Sequence, residues 1–163
     1  MTPSSLPSRA GTAVDDLVTA VLTASRVLVG VAADSLAGTE TTVTLAQFRM
    51  LAVLDGNGET EVSRLAEALR VSSSSALRMV DRMLAAGLVT RHEDPANRRA
   101  MVIGLSRSGA EVVWRVTDRR RAAIARIVRQ MPTDRRAELI EALNAFADAA
   151  GEPRDAGAAA FGW

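Results

Sequence analysis

The chain has 163 residues, of which 20 are basic and 19 acidic, giving a formal net charge of +1 with its single histidine neutral. Hydrophobic residues make up 48%, enough to bury the core of one domain with additional helices, which excludes wholesale disorder. The absence of cysteine excludes disulfides, thiolate metal sites and cysteine nucleophiles.

Residues 1–12 (MTPSSLPSRAGT) are rich in Pro, Ser, Gly and Thr and are expected to form a loose tail, without the apolar stretch of a secretory signal. No apolar run is read as approaching the ~20 residues of a membrane span, so a soluble, cytoplasmic protein with no membrane partner is expected. Val14, Leu17, Val18, Val21, Leu22, Ser25, Leu28 and Val31 or Ala32 recur at helical spacing, predicting a long amphipathic helix. Leu45, Phe48, Leu51, Ala52 and Leu54 repeat the pattern for a second helix, broken by Asp55-Gly56-Asn57-Gly58. Thr60 is a candidate N-cap for a short helix bearing Val62, Leu65, Ala66 and Leu69. Ser72 or Ser73 is a candidate cap for the next, which presents Ala76, Leu77, Val80, Met83 and Leu84 and stops at Gly87.

The texture then changes. Leu88–His92 and Ala100–Leu105 read as strands joined by the polar turn Glu93–Arg98, a β-hairpin. Ser106 or Ser108 opens a long helix to about Gln130, and Pro132-Thr133 opens a last one bearing Leu139, Ile140, Leu143 and Phe146. Residues 151–163 read as a second loose tail, apart from Phe161 and Trp163. Two short helices joined by a tight turn and followed by a hairpin make a winged helix-turn-helix. The expected fold is therefore mainly α with a small β-hairpin wing: a DNA-binding lobe over 35–106 flanked by helices at 13–34 and 107–150. The flanking helices are too apolar for the small central lobe to cover, so they are expected to pack on a second copy as a homodimer.

Charge is placed unevenly. Residues 70–107 hold seven arginines against three carboxylates, net +4, whereas residues 13–59 are net −4. A basic helix-turn-helix and wing is the footprint of a phosphate-binding face, so double-stranded DNA is the expected partner.

The stretch Val62–Gly109 resembles the MarR family of bacterial transcriptional regulators. The resemblance is carried by Leu65-Ala66, Val80-Asp81-Arg82, Gly87-Leu88-Val89, Arg91, Asp94-Pro95, Arg98-Arg99, and Leu105-Ser106 with Gly109. It implies a homodimer with interlocked terminal helices that binds a palindromic site, in most cases as a repressor, and in many cases is released by a small aromatic anion. Asn97 stands where the family usually has Asp before the wing's arginine pair, and Ser106 where it usually has Thr. The first change removes a charge partner for Arg99.

Candidate DNA-binding residues follow. Ser73, Ser74 and Ser75 open the expected recognition helix, where free amides attract phosphate and short hydroxyls permit close approach. Arg78 lies further along that helix, with the bidentate geometry that suits a guanine edge; the competing reading is a salt bridge to Asp81. Arg98 and Arg99 sit at the wing tip, and the resemblance places the minor-groove contact on Arg99 and leaves Arg98 for a phosphate. Arg91, at the wing base, suits either a structural salt bridge or a backbone contact. Arg107 and the run Arg119-Arg120-Arg121 are lesser candidates, the run reading first as a solvated face.

His92 stands alone without cysteine or a second histidine, so no metal and no cofactor are expected. No nucleophile–base pairing or phosphate-binding glycine loop is evident, so an enzyme is not expected. By resemblance, an effector pocket between the dimerisation helices and the DNA-binding lobe would involve Phe48, Arg49, Ala52 and Trp114; the competing reading makes Phe48 and Trp114 core. Two alternatives stay open: a DNA-binding regulator without a small-molecule effector, and a winged helix used as a protein-interaction module.

Overall fold

The computed structural model describes residues 9–37, 43–94 and 100–151. Among the described residues six helices and a small sheet follow one another as α1 (Arg9–Ala37), α2 (Leu45–Asn57), β1 (Thr60–Glu61), α3 (Val62–Leu69), α4 (Ser73–Ala85), β2 (Val89–Glu93), β3 (Met101–Leu105), α5 (Arg107–Gln130) and α6 (Asp134–Ala149). The sheet is antiparallel with order β1-β3-β2, and Arg91 of β2 faces Ile103 of β3 in register. The chain is thus mainly helical, with two helices, a turn and a hairpin wing at its centre.

Local chemistry explains the helix starts. Thr44 and Gln47 form a capping box: the Gln47 N–H donates to Thr44 Oγ1 at 3.3 Å and the Thr44 N–H to Gln47 Oε1 at 2.8 Å. Ser72 caps α4, accepting from the Ser75 N–H at 3.2 Å. Ser106 caps α5, accepting from the Gly109 N–H at 3.0 Å while its hydroxyl donates to the Gly87 carbonyl at 2.7 Å. That second bond ties the start of α5 to the turn that ends α4. Gly109 completes the junction, because a Cβ there would collide with the Leu88 carbonyl. Gly87, with φ +68°, makes the turn from α4 into the wing.

One expected cap is corrected. Thr60 does not start α3; it belongs to β1 and pairs with Ile103, and Glu61 takes the N-cap position without a side-chain cap bond. The long-range strand pairing outcompetes the local cap. The first helix also begins at Arg9 and runs to Ala37, past both ends of the 13–34 stretch read from periodicity. Near its end the buried Ser35 hydroxyl donates to the Val31 carbonyl at 2.6 Å, so it needs no other partner.

The core lies where α2, α3, α4, the sheet and the first half of α5 converge. Phe48, Met50, Leu51, Leu54, Leu65, Val80, Ile103 and Val116 are the largest fully buried side chains. The ends of the chain look different. On α1, Val14, Leu17, Val18 and Leu22 are exposed, and α6 buries none of its residues, leaving Ile140, Leu143 and Phe146 open. The expectation that no apolar run approaches a span's length is corrected, because by length and composition Ala13–Ala37 is apolar enough to cross a membrane. The charges Asp15, Asp16, Arg26 and Asp34 interrupt that run, and α1 packs along α5.

Candidate nucleic-acid interface

The helix-turn-helix is built by α3 and α4. Leu65, Ala66 and Leu69 bury one face of α3, and the chain then reverses at Arg70, whose backbone is left-handed at φ 55°. The Arg70 N–H reaches the Glu67 carbonyl at 3.0 Å and the Val71 N–H the Ala66 carbonyl at 3.0 Å, closing the last turn before Ser72 begins α4. Ala76, Val80 and Met83 anchor α4 to the core. Ser73, Ser74, Leu77, Arg78, Asp81 and Arg82 are left on its outer side, all exposed.

The serine cluster is hydrogen-bonded internally. Ser74 Oγ lies 3.1 Å from Ser72 Oγ, and the Ser72 hydroxyl donates to Ser75 Oγ at 2.9 Å. Ser75 in turn accepts from Arg78 Nη2 at 3.0 Å. Arg78 is therefore braced against its own helix by a neutral hydroxyl and keeps its charge uncompensated; among the described residues it makes no ion pair with Asp81. Arg91 is exposed on β2 and makes no ion pair among the described residues either.

These groups converge. Ser73, Ser74 and Leu77 from α4, Ser63 from α3, Arg91 from β2 and Met101 from β3 line a single open groove of about 580 Å³ between the second helix and the wing. Ser73 and Ser74 are the first residues of α4, so hydroxyls, a guanidinium and the start of a helix border the groove, groups that attract phosphate, with one carboxylate, Glu61, at its α3 side. Arg98 and Arg99 lie outside the described residues.

At the wing's outer face, His92 Nε2 lies 3.1 Å from Glu59 Oε2. The Glu59 side chain crosses β3 at Gly104, where a Cβ would stand 3.0 Å from Glu59 Cγ. His92 is thus a surface histidine partnered by Glu59, and no cluster of three metal-ligating side chains occurs among the described residues. The other arginines divide. Arg107 pairs with Glu111 at 3.3 Å. Arg119 and Arg121 are exposed while Arg120 is half-buried, and desolvation lowers its guanidinium from the usual value. The run is therefore not a uniform solvated face.

The residues expected around an effector differ in burial. Phe48 and Ala52 are closed into the core, Arg49 is half-buried, and Trp114 points away from the core at 68% exposure. The reading of Trp114 as core is corrected: Val112, Val113 and Val116 form the buried face of α5, and position 114 falls off it. Sequence reasoning missed a different cleft, of about 560 Å³ between α1 and α5, lined by Val31, Asp34, Ser35, Arg119, Arg126 and Ile127 among others. Arg119 and Arg126 are seven apart, a spacing that places both on one helix face; that repeat was the available signal.

Comparison with known proteins follows this geometry. The model of the MarR family matches residues 43–101, from the start of α2 into β3. The crystal structure of RV1404 from Mycobacterium tuberculosis is 43% identical, with a TM-score of 0.79 over 87% of this chain and 97% of that one. YhbI of Bacillus subtilis, described as an uncharacterized HTH-type transcriptional regulator, is 30% identical over 71 residues, 44% of this chain; the match spans about half (46%) of that curated relative. FabT of Streptococcus pneumoniae, solved in complex with DNA, shares the fold at 15% identity, with a TM-score of 0.70 over 86% of this chain and 96% of that one.

Proposed function

The chain belongs to the MarR family, and we propose that it acts in the cytoplasm as a dimeric, sequence-specific DNA-binding transcriptional regulator, a repressor at a palindromic operator. The observation that carries this reading is the groove between α4 and the wing, where Ser73, Ser74 and Arg91 face the same space, on a helix whose Arg78 makes no ion pair among the described residues. In this reading α4 enters the major groove. The amides and hydroxyls of Ser73, Ser74 and Ser75 meet phosphates, Arg78 reads a guanine edge, and Arg91 follows the backbone at the wing base. Arg98 and Arg99, at the wing tip in the sequence, take the adjacent phosphate and minor groove.

Two copies are needed. A single chain leaves the apolar stripes of α1 and α6 in water, and a second copy covers them while setting the spacing of two recognition helices about one helical turn of DNA apart. The protein-interaction alternative is disfavoured by the same groove, since Ser63, Ser73 and Ser74 are of a type depleted at protein interfaces and no aromatic anchor is among its lining residues.

Ligand release is supported by the α1–α5 cleft, in which Arg119 and Arg126 offer cations to a small anion. Anisotropy titration of labelled duplex from the DNA upstream of its own gene, against random duplex of equal length, tests the proposal. Two protein copies per duplex and at least 10³-fold preference over random DNA are expected; binding no better than to random duplex from that region and from a selected pool overturns it. A thermal shift with salicylate-like anions separates the ligand-responsive regulator from one without an effector.

A further inference from the structure

The periodicity of α4 places Leu77 with the core residues, but the structure does not bury it. One position on from the fully buried Ala76, it is turned about 100° off the buried line and is 41% exposed. It opens into the groove that Ser73, Ser74 and Arg91 share. An exposed leucine is ordinary on a protein surface. This one stands on the exposed side of the recognition helix, within one turn of Ser73 and Ser74, in a segment whose net charge is +4. Val62, Ala100 and Met101 line the same groove, so Leu77 is the α4 member of a small apolar strip bordered by Ser63, Ser73, Ser74 and Arg91, and an apolar side chain on this helix has few partners in a nucleic acid. The major groove offers one apolar group, the 5-methyl of thymine, and it stands on the same edge that Arg78 would read.

We infer that Leu77 is a specificity-determining residue that packs on a thymine methyl, so that each half-site carries a thymine opposite the N-terminal half of α4. This rests on the proposed DNA-binding function and names one base that the site requires. Replacing that thymine by deoxyuracil removes the methyl and nothing else, leaving every hydrogen-bonding group of the base pair in place.

The test uses the full-length protein and a duplex selected by it from a random-sequence pool. The duplex is resynthesised with each thymine of one half-site replaced in turn by deoxyuracil. One replacement is expected to weaken wild-type binding roughly 3- to 5-fold, the scale of one buried methyl group. Leu77→Ala is expected to bind the thymine and deoxyuracil duplexes equally. Because the readout is the ratio of two affinities for one protein sample, partial unfolding of the variant cancels. A wild type indifferent to every replacement, or a Leu77→Ala variant that keeps the full ratio, overturns the inference and leaves the DNA-binding function standing. A selection that enriches no duplex overturns both.

Discussion

Arg78 Nη2 donates to the Ser75 hydroxyl at 3.0 Å, three residues back along α4, and Ser75 Oγ accepts from the capping Ser72 as well. The chain of bonds runs from the helix cap to the guanidinium and fixes its position without spending its charge. A long arginine held in this way loses less side-chain entropy on meeting a base than a free one does. Arg78→Ala is expected to weaken operator binding by about 1–3 kcal/mol and to relax the preference for guanine at one position per half-site. Ser75→Ala, which removes the brace and one hydroxyl placed near a phosphate but leaves the guanidinium, should cost less than Arg78→Ala while leaving that preference intact. Anisotropy titration against a panel of single-base variants reads both.

At the junction of wing and α5 the backbones of Gly109 and Leu88 leave no room for a side chain at position 109. Gly109→Ala drives a methyl into the Leu88 carbonyl, which backbone cannot easily evade. A loss of about 1–3 kcal/mol is expected, seen as a fall in Tm of roughly 2–4 °C per kcal/mol in thermal unfolding. An unchanged melting curve would mean that α5 does not start so close to the wing.

The exposed stripe of α6 is predicted to be an interface between copies. Phe146 is 56% and Leu143 55% exposed in the single chain, where a charge would be tolerated. Leu143→Glu combined with Phe146→Glu is expected to shift the protein toward monomer in sedimentation velocity and to weaken operator binding at least 10-fold, because one recognition helix cannot span two half-sites. A dimer that persists undiminished would move the interface elsewhere.

Much of this was legible locally. Ser72 and Ser106 announce α4 and α5 because a cap is written within four residues of the helix it starts, and Gly87 marks the turn that follows α4. Thr60 misled because its partner, Ile103, is 43 positions away, and no local rule weighs a strand pairing at that distance. Leu77 misled because a residue at the margin of an apolar stripe has the same spacing whether it is covered or not; only the place of the wing decides. The site shows the same division. The serines and Arg78 follow from helix position, whereas the meeting of Arg91 with Ser73 and Ser74 depends on how the sheet packs against α4. The exposure of Leu77 emerges only from tertiary packing, and the α1–α5 cleft was signalled only by the seven-residue spacing of Arg119 and Arg126.

For the wing tip, Arg99→Ala is expected to lower affinity by about 1–3 kcal/mol, with the larger loss on duplexes carrying an A·T tract beside the half-site, where the minor groove is narrow and most negative. Arg98→Ala should weaken all duplexes alike. Binding to operator variants with A·T or G·C flanks distinguishes the two arginines.

The central claim is that the groove between α4 and the wing is a DNA-binding face, and the salt dependence of operator binding tests it most directly. For a dimer that neutralises ~6–10 phosphates, the logarithm of the association constant should fall against the logarithm of salt concentration with a slope near −0.9 per phosphate. Arg91→Ala should flatten that slope by about 2, one contact in each half of the dimer. An Arg91→Ala variant with the wild-type affinity and the wild-type slope would contradict the assignment of this groove to the nucleic acid.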